Sequence, residues 1–487
     1  MSTNTNIRFG LAGVLLLVCA TAASGQATPD VPAAKAAASE WIDRQAETLQ
    51  RVNRNIWSYA ETGLEEVRSA GELIALLEAN GFTVERGVAG MPTAFVATYG
   101  AGRPAIGILA EYDALPGLSQ TASPEREERE GVSAGHGCGH SVFGTGSTAA
   151  AIGVKQAIEA GLVAGTVRLY GTPAEETGIG KTYMLRAGHF KDDDIVLAWH
   201  AGDRTRSSYE YTKAIVSVKF RFRGLPAHAS RSPEEGRSAL DAVELMNVGV
   251  NYMREHVRQD ARIHYVITGG GGQPNVVPPD AEVWYYIRAD SHADVVSYFD
   301  WVQEIARGAA MMTRTELAMV TIDSDMHEVL PNRTLSEVIQ RNLEQVGPPR
   351  FTDAERAFAR RTQEPLGQAL DKALADDVEP LSDQPGRGPA STDIGDISWF
   401  VPVGQLNVAS YTYGAPGHSW QIVACTGTSI GEKGMMVAAK AIAGTALELY
   451  ASPDLRARAR ADLDALRASL EYRTLLPEGQ RAPATVR

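Results

Sequence analysis

The spacing of apolar residues divides the chain into helical and extended segments. Between residues 33 and 79, apolar side chains recur every three or four positions, as at Trp41, Leu49, Val52 and Ile56, which is the period of amphipathic helices. Further along, short apolar runs of strand length alternate with helical segments. This alternation predicts an α/β domain with a mainly parallel sheet.

Three of the apolar runs end where chemically reactive side chains begin. The predicted strands cover residues 105–109, 167–170 and 195–199, and they lead respectively into Glu111-Tyr112-Asp113, Glu175-Glu176 and His200. Predicted helices at 144–160 and 181–187 lie between them. Open α/β sheets place their sites beyond the carboxyl ends of their strands, so this arrangement predicts one site at that edge.

Residues 211–323 follow a different pattern. Four predicted strands and two predicted helices fall here in the order strand, helix, strand, strand, helix, strand: 214–222, 239–257, 265–268, 281–289, 293–309 and 317–322. Together they predict a ferredoxin-like α+β unit. Because His418 and a predicted helix at 430–450 come after this unit and return to the first domain, we expect the unit to be an insertion.

The beginning of the chain carries a targeting pattern. An apolar run over residues 9–20 follows Arg8 and is followed by small residues up to Gly25. The run is too short to span a bilayer, so it predicts a cleaved secretory signal ending near Gly25 and export to the periplasm or beyond. The alternative is an uncleaved anchor. Lipidation of Cys19 is disfavoured because Leu17-Val18 precede it where a small residue is required.

Composition and charge narrow the class of protein. Hydrophobic residues make up 44% of the chain and charged residues 22%, as in globular proteins, and the length favours two domains. The formal net charge of -13 argues against a nucleic acid or an anionic membrane as partner. Once the signal is removed, Cys138 and Cys425 remain, too few for a disulfide framework.

The chemistry concentrates in one short stretch and four later residues. Gly135-His136-Gly137-Cys138-Gly139-His140 is followed by the pair Glu175-Glu176 and by isolated His200 and His418. Cysteine, histidine and carboxylate bind borderline-soft divalent metals, and one of two adjacent glutamates can bind a metal while the other moves a proton. Each residue alone would more often be an ordinary buried or surface residue. Together and in order, they predict a metal-dependent hydrolase.

Six motifs carry a family resemblance that spans nearly the whole mature chain. They are Glu111-Tyr112-Asp113-Ala114-Leu115-Pro116, Gly137-Cys138-Gly139-His140, Gly171-Thr172-Pro173-Ala174-Glu175-Glu176, Trp199-His200, Gly224-Leu225-Pro226-Ala227-His228-Ala229 and Pro416-Gly417-His418. In sequence and order they resemble the co-catalytic metallopeptidases that include aminoacylases, hippurate hydrolase, carboxypeptidase G and plant auxin-conjugate amidohydrolases. Residues 274–278 and 391–399 look most like the B-type subunit of the p-aminobenzoyl-glutamate hydrolases. Where many relatives have Ser-Glu-Asp-Phe, this chain has Ser391-Thr392-Asp393-Ile394, which points away from the auxin-conjugate branch.

The resemblance implies a role for each matching residue. It implies two divalent metal ions, manganese or zinc, held by Cys138, His140, Glu176, His200 and His418, with Glu175 as general base and Asp113 orienting a ligand. It further implies that His228 and Asn275 stabilise the oxyanion or a substrate carboxylate, within one chain or across a homodimer. Arg288 would pair with the carboxylate, or else be a surface strand residue. His136 is favoured as an ordinary loop histidine.

We therefore expect a signal peptide at 1–25, a catalytic domain at 26–212 and 326–452, an inserted lid or dimerisation domain at 213–325, and a C-terminal helix and flexible tail at 453–487. The expected substrate is an N-acyl or N-aroyl amino acid, with p-aminobenzoyl-glutamate first and indoleacetyl-aspartate or a dipeptide next. Two other hypotheses remain: a thiolate nucleophile at Cys138 with His140 as base, and a noncatalytic metal- or ligand-binding protein. A second subunit is a further expectation.

Overall fold

The predicted parallel strands form the centre of a seven-stranded sheet. The structure is a computed structural model that describes residues 1–2 and 29–486, so the predicted signal segment with Cys19 and Gly25 lies outside the described residues. The strands of the first half are β1 Thr83–Arg86, β2 Phe95–Gly100, β3 Ala105–Ala110, β4 Leu115–Pro116, β5 Ala134–Gly135, β6 Thr166–Gly171, β7 Ile195–Gly202, β8 Arg206–Ser208 and β9 Glu210–Tyr211. Those that follow are β10 Ala214–Arg223, β11 Arg262–Gly269, β12 Asp280–Ala289, β13 Glu316–Met326, β14 Gly386–Arg387 and β15 Val403–Ala409.

The main sheet has the order β1-β2-β6-β3-β7-β15-β8. Its four central strands, β6, β3, β7 and β15, run parallel, while β1, β2 and β8 at the edges pair antiparallel. Every residue of β3 is buried, as expected of a strand covered on both faces. The predicted mainly parallel α/β fold is confirmed.

Helices pack against this sheet, and several of them connect its strands. The helices are α1 Val31–Arg44, α2 Ala46–Tyr59, α3 Val67–Ala79, α4 His140–Glu159, α5 Gly180–Arg186, α6 Ala239–Met253, α7 His292–Thr313, α8 Arg333–Val346, α9 Asp353–Gln363, α10 Ile394–Ser398, α11 Trp420–Thr426, α12 Ser429–Ala451 and α13 Pro453–Arg467. α4 contacts β3, β6 and β7 and also packs on α1 and α12. Among the helices of residues 29–486, none is long and apolar enough to cross a bilayer.

The inserted segment forms a sheet of its own. Its order is β11-β12-β10-β13 with every neighbouring pair antiparallel, and α6 and α7 supply the two helices of the predicted ferredoxin-like order. Apolar residues of both helices and of alternate strand positions make a second core separate from that of the main sheet. The domain boundaries and the lid role stay predictions.

The ends of two elements differ from the sequence prediction. α4 begins at His140 rather than 144, so the predicted ligand His140 is its first residue. The glycines of its first turns fit because neighbours approach closely: a Cβ added at Gly146 would lie 2.8 Å from the Trp199 ring. The helix predicted at 239–257 ends at Met253 and continues as a short 3₁₀ turn.

The C-terminal tail was expected to be flexible, but the structure packs it on both units. Leu476 is buried in the main core and Leu475 packs on the inserted core. The Gln480 amide donates to the Tyr183 hydroxyl at 2.9 Å, and the Thr474 hydroxyl donates to Asp325 at 3.0 Å. The two leucines among polar neighbours are what allow the tail to bury surface.

Candidate metal centre

The residues singled out by their chemistry meet at the carboxyl edge of the main sheet. Cys138 and His140 lie on either side of Gly139, which takes the left-handed φ of +81° just before α4. Glu175 and Glu176 form a short turn after β6, and His200 lies near the end of β7. His418 enters from the loop after β15, with a φ of +55°.

The five predicted metal ligands fall into two overlapping groups. The potential ligand atoms of Cys138, His140 and His200 lie within 4.8 Å of one another, and so do those of Cys138, Glu176 and His418. Cys138 Sγ is 3.4 Å from His200 Nε2, and His418 Nε2 is 3.3 Å from a Glu176 carboxylate oxygen. Glu111, His140 and Glu175 form a third such group, so the arrangement offers several ligand atoms to divalent metal ions.

Several buried polar atoms here lack a hydrogen-bond partner, as ligand atoms awaiting an ion would. Within the described part of the chain, His140 Nε2 and one oxygen of Glu176 are buried without one, although a Glu111 oxygen lies 3.2 Å from His140 Nε2. Unpaired buried polar atoms are costly and rare in native proteins. One sulfur, imidazole nitrogens and carboxylate oxygens suit a borderline-soft divalent cation, so the donor set fits the implied metals.

Asp113 lies behind two of these residues. One carboxylate oxygen accepts a hydrogen bond from His140 Nδ1 at 2.8 Å, and the other accepts from the Glu176 backbone N–H at 3.0 Å. Burial alone would raise the pKa of Asp113, but His140 and these hydrogen bonds hold it below its usual value. Asp113 thus fixes the ring of His140 with Nε2 facing the site, as an orienting carboxylate does.

Glu175 has the environment of a proton acceptor. Burial, followed by the charge of Glu111, raises the pKa of Glu175 to about 7. Its carboxylate lies 3.9 Å from His140 Nε2 and groups with Glu111 and His140 rather than with Glu176 and His418. A carboxylate with a pKa near neutrality can both take and return a proton at physiological pH.

Cys138 does not have the environment of a nucleophile in this structure. Burial, and then the charge of Glu176, raises the pKa of its thiol to about 12. Reactive cysteines instead have a depressed pKa and a base oriented toward them. His140 uses Nδ1 for Asp113, and Cys138 contacts His200. A metal-ligand role explains these contacts better than a thiolate nucleophile does.

Two buried charges at the site were missed in the sequence. Lys181, fully buried at the start of α5, lies 2.8 Å from Glu111 and forms an ion pair with Asp393, which also accepts from the Lys181 backbone N–H. Burial would lower the pKa of Lys181, but the two carboxylates hold it above its usual value. Lysine is almost never buried unpaired, yet its partners lie too far along the chain for spacing to reveal them.

Glu66 was also missed, and it supports the turn that carries the two glutamates. Ala174 adopts a left-handed φ of +54°, which is unfavourable for a residue other than glycine. One Glu66 oxygen accepts from the Ala174 backbone N–H at 2.8 Å, and the other accepts from Thr93. This contact holds the strained residue directly before Glu175.

Arg288 of the inserted unit reaches the same cavity, which has a volume of about 300 Å³. The cavity is also lined by Cys138, Glu175, Glu176, His200 and His418. The guanidinium of Arg288 lies over the Tyr286 ring at 5.6 Å, and its buried Nε has no hydrogen-bond partner among residues 29–486. Arg288 is therefore not a surface strand residue, and its charge is available to a ligand.

His228 and Asn275 do not line that cavity within one chain. Both are exposed, and His228 is bridged to Val276 and accepts from the backbone N–H groups of Ser230 and Arg231. Their predicted roles, within one chain or across a homodimer, stay predictions. His136 is buried, with Nε2 3.1 Å from the Ile56 carbonyl oxygen, and burial lowers its pKa to about 4. A structural role suits His136.

Comparison with known proteins gives consistent matches. The profile of peptidase family M20/M25/M40 matches residues 107–442. The chain is 42% identical over 435 residues to the B-type subunit of p-aminobenzoyl-glutamate hydrolase from Escherichia coli (strain K12), in an alignment that covers 84% of this chain and 90% of that protein. It is 30% identical over 437 residues to the Xaa-Arg dipeptidase of Mus musculus, covering 86% and 90%.

Two solved structures share the fold. An aminobenzoyl-glutamate utilization protein from Klebsiella pneumoniae aligns with a TM-score of 0.57 at 19% identity, covering 84% of this chain and 97% of that one. A dinuclear metal-binding peptidase of the M20 family from Bacillus subtilis aligns with a TM-score of 0.54 at 17% identity, covering 84% and 99%. At these identities the likeness concerns the fold alone.

Proposed function

Because this chain belongs to peptidase family M20/M25/M40 and is a metal-dependent amidohydrolase, we propose that it cleaves N-acyl and N-aroyl amino acids, with p-aminobenzoyl-glutamate as its substrate. The family match confirms the resemblance inferred from the motifs. One observation carries the proposal: members of two overlapping ligand groups, the proton acceptor Glu175, and Arg288, which has no ion pair among the described residues, line the same cavity. The identity to the p-aminobenzoyl-glutamate hydrolase subunit over 90% of that protein supports the choice of substrate.

The proposed cofactor is a pair of manganese or zinc ions. Cys138, His140 and His200 would hold one, and Cys138, Glu176 and His418 the other. When bound, the pair would polarise the amide carbonyl and make a water molecule more acidic.

The chain's own residues supply the proton transfers and the orientation. Glu175, whose carboxylate lies 3.9 Å from His140 Nε2, would take the proton of the attacking water and return it to the leaving nitrogen. Asp113 would keep His140 from rotating during this cycle. Arg288 would pair with the carboxylate of the leaving amino acid and so place the scissile amide.

We further propose that the active form is a homodimer in which His228 and Asn275 complete the partner's site. Both residues are exposed on the inserted unit. In the described sheet, β11 is an edge strand with an unpaired side, and Val266 and Ile267 on it are exposed. Such an edge is suited to pairing with another chain. Pairing with a different subunit is the alternative, in keeping with two relatives that are named as subunits of one hydrolase.

A dipeptidase activity is the second candidate. It is favoured by the similarity to the Xaa-Arg dipeptidase over 86% of this chain. Hydrolysis of indoleacetyl-aspartate has weaker support, because that hydrolase matches at 26% identity over 56% of the chain. Export remains part of the proposal and rests on the apolar run at residues 9–20.

The test is a substrate panel on protein of known metal content. Metal-free protein is reconstituted with manganese or zinc and assayed on p-aminobenzoyl-glutamate, hippurate, indoleacetyl-aspartate and a set of dipeptides. We expect release of p-aminobenzoate with the highest kcat/KM, and none after chelation. Cleavage of dipeptides alone would replace the proposal with the second candidate, and no cleavage by metal-loaded, correctly folded protein would refute both.

A further inference from the structure

The cavity contains a second charged wall that the proposed mechanism does not use. Opposite in charge to Arg288, Glu210 lines the same space together with the carboxamides of Gln405 and Asn407. Neither a metal ligand nor a proton-transfer residue lies among them. A carboxylate and a guanidinium that line one small cavity suit a ligand that is itself polar at two ends.

Glu210 has capacity for a ligand. One carboxylate oxygen accepts from Arg206 at 3.2 Å, while no hydrogen bond to the other oxygen is found among the described residues. Its backbone is held in register against Gly386 of β14. Gln405 likewise has no side-chain hydrogen bond within residues 29–486. The acceptor is thus fixed in place and only half used.

Strand geometry places Glu210 away from the metal ligands. His200 on β7 is aligned with Asn407 on β15, and Asn407 is aligned with Arg206 on β8. With about 4.8 Å between neighbouring strands, β8 lies on the order of 10 Å from β7. Glu210 follows β8 by two residues. If the scissile carbonyl lies beside the metal ligand His200, as the proposed function has it, a group that reaches Glu210 lies on the far side of Asn407 from that carbonyl.

We propose that Glu210 is a specificity-determining residue that accepts a hydrogen bond from an amine on the acyl group, at the end remote from the scissile amide. The assignment rests on the proposed function. With Arg288 bound to the carboxylate of the leaving amino acid, the cavity is complementary to an aminoaroyl amino acid. An α-amino group, one carbon from the carbonyl, is too near the metal ligands to use Glu210, so dipeptides gain nothing from this residue.

The experiment compares matched substrates on matched variants. The substrates are p-aminobenzoyl-glutamate and benzoyl-glutamate, which differ only in the amine. Glu210→Leu removes the acceptor, and Glu379→Leu is the control, because Glu379 forms an ion pair with Arg204 at the same 3.2 Å but does not line the cavity. Glu210→Gln, which keeps one neutral acceptor oxygen, guards against misfolding of the leucine variant.

We expect the parent to prefer the amino substrate. That preference should fall about tenfold to a hundredfold in Glu210→Leu, because a hydrogen bond to a charged group is lost. It should fall less in Glu210→Gln and not at all in Glu379→Leu. A parent with equal kcat/KM on the two substrates, or a preference that survives in Glu210→Leu, overturns the assignment.

Binding separates this inference from the proposed function. Calorimetric titration with p-aminobenzoate and benzoate measures the amine's contribution without any turnover. Tighter binding of p-aminobenzoate that disappears in Glu210→Leu supports the role of Glu210 even if no conjugate is cleaved, in which case only the proposed reaction fails. Equal binding of both acids by the parent counts against Glu210 whatever the catalytic result.

Discussion

At the scale of single residues, burial decides what the carboxylates of the site can do. Glu175 and Glu176 are adjacent in sequence and burial raises the pKa of both, that of Glu175 to about 7, yet Glu176 contacts His418 while Glu175 lies near Glu111 and His140. The same side-chain type therefore has two chemistries at neighbouring positions. This division makes the two residues separable by mutation.

Glu175→Gln should reduce kcat by about a hundredfold to ten-thousandfold while the metal content stays normal, because only proton transfer is lost. Elemental analysis and steady-state kinetics on the same preparations measure both. Glu176→Ala and His418→Ala are the matched comparison, since each removes a ligand and should lower metal content and activity together. Substantial turnover in Glu175→Gln would assign the proton transfer to another group.

Arg288→Ala should lower kcat/KM on free-carboxylate substrates. The expected loss of transition-state stabilisation is about 2–5 kcal/mol, the cost of removing one partner of a buried charge pair. The corresponding carboxamides, poor substrates for the parent, should be nearly unaffected. Arg221→Ala is the control, because Arg221 lies on the neighbouring strand β10 and pairs with Asp280 away from the cavity. Equal losses on acids and amides would show that Arg288 supports the fold.

What sequence predicts at this scale is set by how local the signal is. Cys138 and His140 are predicted because they stand in one short motif of ligand-type residues, and Glu176 because it closely follows a predicted strand. Lys181 and Asp393, 212 positions apart, are not predicted, because a buried ion pair is defined only once the fold brings its members together. His228 does not line the cavity of its own chain, and no spacing reveals that.

At the scale of elements, α5 and α10 are joined by buried charge. Lys181 in the first turn of α5 bonds Asp393, the residue before α10, and Thr182 donates to Asp396 within α10. The two helices also pack on each other. The turn that carries Glu175 comes just before α5, and Ser391, just before α10, lines the cavity. The junction of the two helices therefore joins two parts of the site.

Lys181→Met should destabilise the protein by about 3–5 kcal/mol, because Glu111 and Asp393 would keep buried charges without their cation. Urea unfolding of the metal-free protein measures the change. Lys372→Met is the control, since Lys372 pairs with Asp377 at the surface and should cost well under about 1 kcal/mol. A loss of similar size in both variants would mean that the buried network contributes no special stability.

Element types were predicted better than element ends. The apolar period correctly gave β3, β6 and β7 as strands and α4, α6 and α7 as helices, since burial on one face or two faces imposes that period. The start of α4 was placed four residues late because glycines at 144 and 146 weaken a helix in isolation. In the fold, the close approach of Trp199 to Gly146 makes glycine the residue that fits.

At the scale of the whole molecule, two units with separate cores share one cavity. The unit built on the main sheet supplies the ligand groups and the inserted unit supplies Arg288, so any movement between the two units changes the site. The insertion itself was predictable, because His418 had to return to the first domain after a segment of different period. Packing of the tail on both units was not, since it depends on two leucines in a polar stretch.

The exposed position of His228 leads to a prediction that concerns the assembly. If His228 completes the partner's site, inactive Glu175→Gln and inactive His228→Ala proteins should regain activity when mixed and allowed to exchange subunits. In a mixed dimer, one site combines an intact Glu175 with an intact His228. Random exchange makes half of the dimers mixed, so roughly a quarter of all sites become whole.

Mixing Glu175→Gln with Glu176→Ala is the matched control, because both changes lie in the unit built on the main sheet and no combination of subunits restores a site. Exchange itself is followed by mass spectrometry of differently tagged chains, and activity is followed on the substrate with the highest kcat/KM. Activity that returns in the first mixture and not in the second establishes a shared site. With exchange demonstrated and no return of activity, the proposal that His228 completes the partner's site would be refuted, and His228 would act within its own subunit or support the fold.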